Sequence, residues 1–498
     1  MDILFVGGEL APMVRRSDAA DVIASLSKSL RALGHRVTIA LPRFAAIEKA
    51  GSLVARRLSP LVLAGGMAPA TEVVLYDGRL GSGADLLLID IPGGIERPDA
   101  GDARTWGTFA RAVAAIVVER SRGEAPFDVV HGHDWIGGAA LYLIKEAAAR
   151  GELASPVTRV LTIHDVAAQG AFGREAIPAL GLDDSHFTPD RLEFWGLTSF
   201  LKAGLLAAET VTTVSETYAR ELGSEERGER MDGLVRALST GIGGSIRSGV
   251  LGVVSGVDHA VENPATDPAL AARYDADDPS PKGRCKSALA QELGLEIDPE
   301  RPTVGVVVRA GHRGGAEALL AALPKLLRLD STVIVAATAL DDERLGERLE
   351  EAIAREPERA AWLARPTDAQ LRRLLAGSDL LVLASAHDAC SPWPMRAQRY
   401  GAVPVAVRAG GTIDTVIDLD ADLVTGTGFL FDHLGAENLV GAVARGVSAM
   451  RSPRWGAVRR RVMRVDHGWE RPARRYIALY KSLVREPVSV AAPLAVSP

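Results

Sequence analysis

A chain of 498 residues is too long for one ordinary hydrophobic core, so two domains are the default. Its 57 basic and 63 acidic residues leave a formal charge of -6, which argues against the basic surface that nucleic acids select. Only Cys285 and Cys390 occur, too few for a disulfide framework or a thiolate metal cluster. Without a signal-peptide layout at the amino terminus, a reducing, cytoplasmic setting is expected. The apolar runs stop far short of the ~20 residues that span a membrane, so no membrane partner is expected either.

In chain order, the buried run "ILFVGG" predicts a first strand. It is followed by "APMVRRSDAADV" (residues 11–22) and a helical pattern over 18–33. "RVTIALP", "DVVHGHD", "TRVLTIHD" and "TVTTVS" continue the series, interleaved with Ala/Leu/Arg helical stretches. Non-alternating strands between helices imply a parallel sheet covered on both faces, hence a doubly wound α/β domain over residues 1–256. The pattern breaks over 257–283, where Pro264, Pro268, Pro279 and Pro281 read as an interdomain connection. A second series, "TVGVVVRAG", "STVIVAAT", "DLLVLAS" and "VPVAVRAGG", predicts another Rossmann-like domain over 284–465. Two such domains facing each other leave a cleft at the carboxyl ends of their strands, where ligands of this architecture bind. Residues 486–498 lack a helix period and read as a loose tail.

The strand ends carry the chemistry: His131, His133, Asp134 and Trp135, then His164 and Asp165, Arg309 and Arg313, Asp388, and the Gly410–Gly411 pair. Each alone has a structural explanation. Jointly they put cations and glycine turns at one rim, which suits an anionic leaving group. The loop after the first strand poses a question, because it holds Arg15, Arg16, Ser17 and Asp18 where a glycine-rich anion loop is common. A metal site is not expected: His131 and His133 are taken to alternate across their strand and point to opposite faces.

Over nearly its whole length the sequence resembles the bacterial glycogen/starch synthase family. The resemblance rests on "ILFVGGELAP", "LGHRVTIALPRF", "DVVHGHDW", "TIHDVAAQGAF", "FLKAGLLAAETVTTVSETYARE", "RYGAVPV", "GGTIDTV" and "DHGWERPARRYIALY". It implies the GT-B fold and retaining transfer of glucose from ADP-glucose or a related nucleotide sugar to an α-1,4-glucan. No cofactor beyond that co-substrate is implied. It also implies that a helix at 466–485, with Tyr476 and Tyr480, returns to the first domain. Carried over by position, His164 lies beside the donor glucose, with Asp134 and Asp21 organising that pocket. Arg309 and Arg313 meet the diphosphate, and Asp388 stands for a glutamate that holds sugar hydroxyls. Gly410, Gly411 and the neighbouring Thr412 form the phosphate-receiving loop, and Arg15 or Arg16 replaces a lysine of the family's "KTGGLADV".

The departures from the family pattern cluster at this site. "RRSDAADV" replaces the glycine loop; Ile136, Ala168, Ser255 and Glu262 stand for histidine, tyrosine, asparagine and tryptophan. "DACSPWP" replaces "EPCGLxQ", bringing Pro392 and Pro394, which lack amide donors, to a helix start. An Asp18 carboxylate ~5 Å from a diphosphate would oppose it by about 3 kcal/mol at an effective dielectric of ~20, unless it turns away as a helix N-cap. Two functions follow. One is a working synthase; the other is a catalytically impaired relative that binds glucan or nucleotide as a regulatory or partner protein. The sequence does not fix the oligomeric state.

Overall fold

The computed structural model describes residues 1–49, 53–95, 101–239, 249–310, 315–340, 342–386 and 388–484. It divides into two compact units. The first comprises Met1–Thr213, Leu222–Val253 and the chain from Glu470 on; the second comprises Val214–Glu221 and Val254–Trp469.

In the first unit the sheet order is Val250–Gly252, Thr210–Thr213, Thr158–Ile163, Val129–His133, Asp2–Val6, Arg36–Pro42, Asp85–Asp90, Thr71–Arg79, Val54–Arg56. The strands from Val250–Gly252 to Asp85–Asp90 are parallel. Every residue of Asp2–Val6 is buried, as a strand covered on both faces requires. Beyond them Thr71–Arg79 runs antiparallel, and the sequence reading did not anticipate it. It buries Val73 and Leu75 while the residues between them stay more exposed, the alternation of a strand covered on one face.

In the second unit the strands Ala360–Ala364, Thr332–Leu340, Thr303–Ala310, Leu380–Leu383, Val403–Val407 and Phe429–Phe431 form a parallel sheet in that order. Alternate residues feed separate cores. Val306, Leu380 and Val382 enter one, and Val307, Leu381 and Leu383 enter the other. Residues 257–283, marked by their prolines as a connection, pack into this unit. Tyr274 donates its hydroxyl to the Tyr400 carbonyl at 2.8 Å, and Asp267 accepts from the Tyr400 hydroxyl at 2.6 Å. The Val214–Glu221 segment joins the same unit through Asp414, whose carboxylate accepts from Ser215 Oγ, Thr217 N and Thr217 Oγ1 at 2.6, 3.0 and 2.7 Å. The tail 486–498 and Arg313 lie outside the described residues.

Lys282 fastens the ends of two helices, Asp368–Gly377 and Trp393–Arg399, in this unit. Its buried ammonium donates to the carbonyls of Leu375, Ala376 and Tyr400 at 3.0, 2.8 and 2.9 Å. Lys282→Met, which matches the chain length but leaves three buried carbonyls unpaired, is expected to lower stability by about 3 kcal/mol in urea unfolding. A loss below about 1 kcal/mol would show that those carbonyls find other donors.

Candidate functional site

In the first unit the adjacent strands Asp2–Val6, Val129–His133 and Thr158–Ile163 are parallel, so their carboxyl ends bring the 7–18 loop, Asp134 and His164 to one edge. Contrary to the sequence expectation, His131 and His133 lie on the same side of their strand, with rings stacked at 4.4 Å between centroids. The pleat dictates this, since residues i and i+2 share a face. Among the described residues no group of three or more His, Cys, Asp or Glu is arranged to hold an ion.

His131 is fully buried, and both of its nitrogens meet hydroxyls. Nδ1 lies 2.7 Å from the Tyr480 hydroxyl and Nε2 lies 2.6 Å from Thr162 Oγ1. Thr162 Oγ1 is 2.6 Å from Thr212 Oγ1, which donates to the Leu161 carbonyl at 3.3 Å. Protons run consistently along this chain if Tyr480 donates to His131 Nδ1 and His131 Nε2–H donates to Thr162. Next to it, His133 Nδ1 lies 3.0 Å from His164 Nε2, while His133 Nε2 is buried with no hydrogen-bond partner. A buried N–H without an acceptor is costlier than a bare lone pair, so His133 carries its proton on Nδ1 and donates it to His164. His164 then carries its own proton on Nδ1. Burial drives His131 and His164 down to about 3 and His133 well below the usual imidazole value, so all three rings are neutral.

Asp134 begins the helix Asp134–Ala149 at a positive φ of 50°, a strained conformation for a residue with a Cβ. Its carboxylate accepts from the backbone amides of His164 and Asp165 at 2.7 and 3.3 Å, which fixes the turn that carries the imidazole. Burial pushes its carboxyl well above the usual range, against the pull of those amides.

The glycine-free loop is organised around Glu9. Its Oε2 accepts from the amides of Arg16 and Ser17 at 2.6 and 2.7 Å, and its Oε1 accepts from Ser17 Oγ at 3.0 Å. Arg15 pairs with Asp21 at 2.6 Å, so two expected ligand contacts meet each other. Asp18 occupies the N-cap of the helix Ala19–Ala32, yet its side chain makes no capping bond. Its own backbone is helical (φ -69°, ψ -15°), which turns the carboxylate away from the first-turn amides. Ser17 Oγ accepts from the Ala19 amide instead, at 3.2 Å.

In the second unit, Arg309 lies at the carboxyl end of its strand, and Asp388 and Gly410 follow the ends of the next two parallel strands. Arg309 sits just past a register shift in Thr303–Ala310. The Asp388 carboxylate caps the Ser391 amide, and its carbonyl accepts from Gly411 N at 3.0 Å. Gly410 has φ 48°, and a Cβ there would fall 1.7 Å from that carbonyl, so only glycine fits. Its amide donates to Glu221 Oε1 at 3.0 Å. Thr412, 1% exposed, donates its hydroxyl to the Ala409 carbonyl at 2.6 Å and thereby shapes the turn.

The family model for the starch synthase catalytic domain matches residues 2–237. The glycogen synthase of Anaeromyxobacter sp. (strain Fw109-5) is 35% identical, over 97% of this chain and 99% of that protein. The chain belongs to the glycogen/starch synthase family. The glycogen synthase of Thioalkalivibrio sulfidiphilus is 34% identical over 97% of this chain and all of its own length. The catalytic domain of starch synthase IV from Arabidopsis thaliana, solved with ADP and acarbose, superposes with a TM-score of 0.88 at 25% identity, over 97% of this chain and 99% of that one. The fold is accordingly GT-B, a mixed α/β class built on parallel sheets.

Several departures from the synthase pattern have local partners. Glu262, where the resemblance implies a tryptophan, is buried and pairs with the equally buried Arg396 at 2.9 Å. That guanidinium lies 5.1 Å from the centre of the Trp393 ring. Pro392 caps the helix Trp393–Arg399, and Pro394 is its second residue, so the helix start lacks those two donors. Glu9, Glu221 and Asp414 were not found from sequence. Glu9 directly follows the glycine pair Gly7–Gly8 after the first strand, the one signal that could have marked it.

The imidazole stack makes stability depend on pH. The unfolded chain takes up protons below pH 6.5 that the buried rings refuse, His131 and His164 until about pH 3; each of these two costs ~1.4 kcal/mol per pH unit as the pH falls through that window, and His133 acts in the same direction. Asp134, raised by burial, works in the opposite sense with a single proton. The melting temperature is expected to fall steeply between pH 7 and pH 5, and His131→Asn is expected to flatten that slope. An identical slope in the variant would contradict the assignment.

Proposed function

We propose that this glycosyltransferase moves the glucosyl group of ADP-glucose to the non-reducing end of an α-1,4-glucan with retention at the anomeric carbon. The carrying observation is the 35% identity to a glycogen synthase across 97% of the chain, joined to a neutral His164 fixed by His133 and Asp134. Synthases of this family use ADP-glucose and need no metal or other cofactor. No helix among the described residues is long and apolar enough to cross a membrane; the reading includes a cytoplasmic setting.

In this reading Arg309 and Arg313 hold the donor diphosphate, and the Gly410–Gly411 turn brings backbone close to it. His164 offers its Nδ1–H to the glucosyl group, with Asp134 setting the ring's position. Asp388 acts on the sugar through the turn it caps, and Arg15, Arg16 and Asp21 are assigned to donor binding. As the bond from the anomeric carbon to the ADP oxygen breaks, charge grows on the diphosphate and the guanidinium groups stabilise it. The acceptor hydroxyl forms the new bond from the same face, and its proton passes to the departing phosphate oxygen.

ADP release from ADP-glucose, followed with and without glycogen, tests this directly. Release that depends on glycogen is expected. Arg309→Ala should weaken ADP binding at least tenfold, as loss of a charge-assisted phosphate contact does. ADP-glucose binding without glycogen-dependent release would overturn the transferase reading, and unchanged ADP affinity in the variant would remove Arg309 from the site.

A further inference from the structure

Two-residue hairpin turns with positive φ at both central positions strongly favour Asn-Gly, Asp-Gly or Gly-Gly. The hairpin between Glu193–Phe194 and Leu197–Ser199, with Phe194 opposite Leu197, places Trp195 and Gly196 there, at φ 53° and 82°. A tryptophan in that conformation is a genuine outlier. Burial does not compensate it, because Trp195 is 70% exposed and Leu197 beside it is 44% exposed. Two more residues with unfavourable positive φ lie alongside, Glu229 at 49° and Arg230 at 69°. The Arg230 guanidinium stands 5.5 Å from the centre of the Trp195 ring, and Gln169 Nε2 donates to the Glu229 carbonyl at 2.8 Å. Strain concentrated in one exposed patch marks function more often than architecture.

The hairpin is joined to the catalytic rim of the same unit. Leu197–Ser199 pairs with Ala171–Phe172, seven residues beyond His164, and Phe172 packs edge-on at 5.8 Å against Trp135, the residue after Asp134. We propose that Trp195, with Arg230 and Gln169 at its edge, is a docking platform for the α-glucan acceptor at glucose units remote from the reacting end. The chemistry selects that occupant. A flat indole face suits the C–H face of a sugar ring, and a rim carrying both charge signs and an amide suits neutral hydroxyls. Glu193 and Glu229 disfavour a polyanion, and one ring flanked by charges is too small for a lipid surface. The platform rests on the acceptor being an α-glucan, as proposed above.

Trp195→Asn tests it, because Asn-Gly is the preferred pair for this turn and the fold should be at least as stable without the ring. In native gels containing glycogen, which require no turnover, the parent protein should be retarded, and Trp195→Asn should bind about tenfold more weakly with an equal or higher melting temperature. In ADP release, the variant's kcat/KM for glycogen relative to maltotriose should drop at least fivefold. A parent that glycogen does not retard, or a variant retarded as strongly as the parent, would overturn the platform. Retardation with no ADP release in the parent would leave the platform standing and refute the transferase reading alone.

Discussion

The first unit depends on keeping three imidazoles dry. His131, His133 and His164 form a stack in which every ring is buried, and a protonated His131 or His133 there would have no carboxylate partner. The surroundings are hydroxyls and rings: Tyr480, Tyr476, Thr162, Thr212 and the edge of Phe5. Much of that lining comes from the helix Glu470–Val484, which buries Pro472, Ala473, Tyr476 and Tyr480 on one face. A segment near the end of the sequence thus closes the underside of a strand that starts at residue 129. Removing its tyrosines would hydrate the stack and free the orientation of His164.

A second theme is that the chain supplies its own anions to amides that a ligand could otherwise meet. Glu9 binds the amides of Arg16 and Ser17, Glu221 binds that of Gly410, and Asp388 binds that of Ser391. The glycine-free loop is therefore a folded element with a carboxylate at its centre. Positive charge at the loop resides in the side chains of Arg15 and Arg16, which are exposed, with Arg15 steered by Asp21. Asp414 likewise accepts from the Thr217 amide and from the hydroxyls of Ser215 and Thr217. That contact assigns the short helix Glu216–Glu221 to the second unit, although the chain on both sides belongs to the first.

The parallel strands were legible because residues covered on both faces leave an unbroken apolar run, as in "ILFV" and "LLVL". "TEVVLYDGR" was harder, since a strand covered on one face alternates and carries charge. Strands of two or three residues, such as Ala171–Phe172 and Glu193–Phe194, leave no period to read. The prolines of 257–283 coincide with a stretch that holds no helix or strand before Lys282, and Tyr274 and Asp267 are buried there. At the site, residue types at strand ends were readable and their partners were not. The sides of His131 and His133 follow from the pleat alone, so the opposite-face expectation misread the period. Asp18 suits an N-cap by residue type, yet its backbone angles decide against it.

Histidine nitrogen NMR on protein labelled at the imidazole rings tests the central claim most directly. His131 should be neutral with its proton on Nε2, and His133 and His164 neutral with theirs on Nδ1, unchanged from pH 8 to pH 6. An imidazolium among the three at pH 6, or His164 protonated on Nε2, would contradict the account.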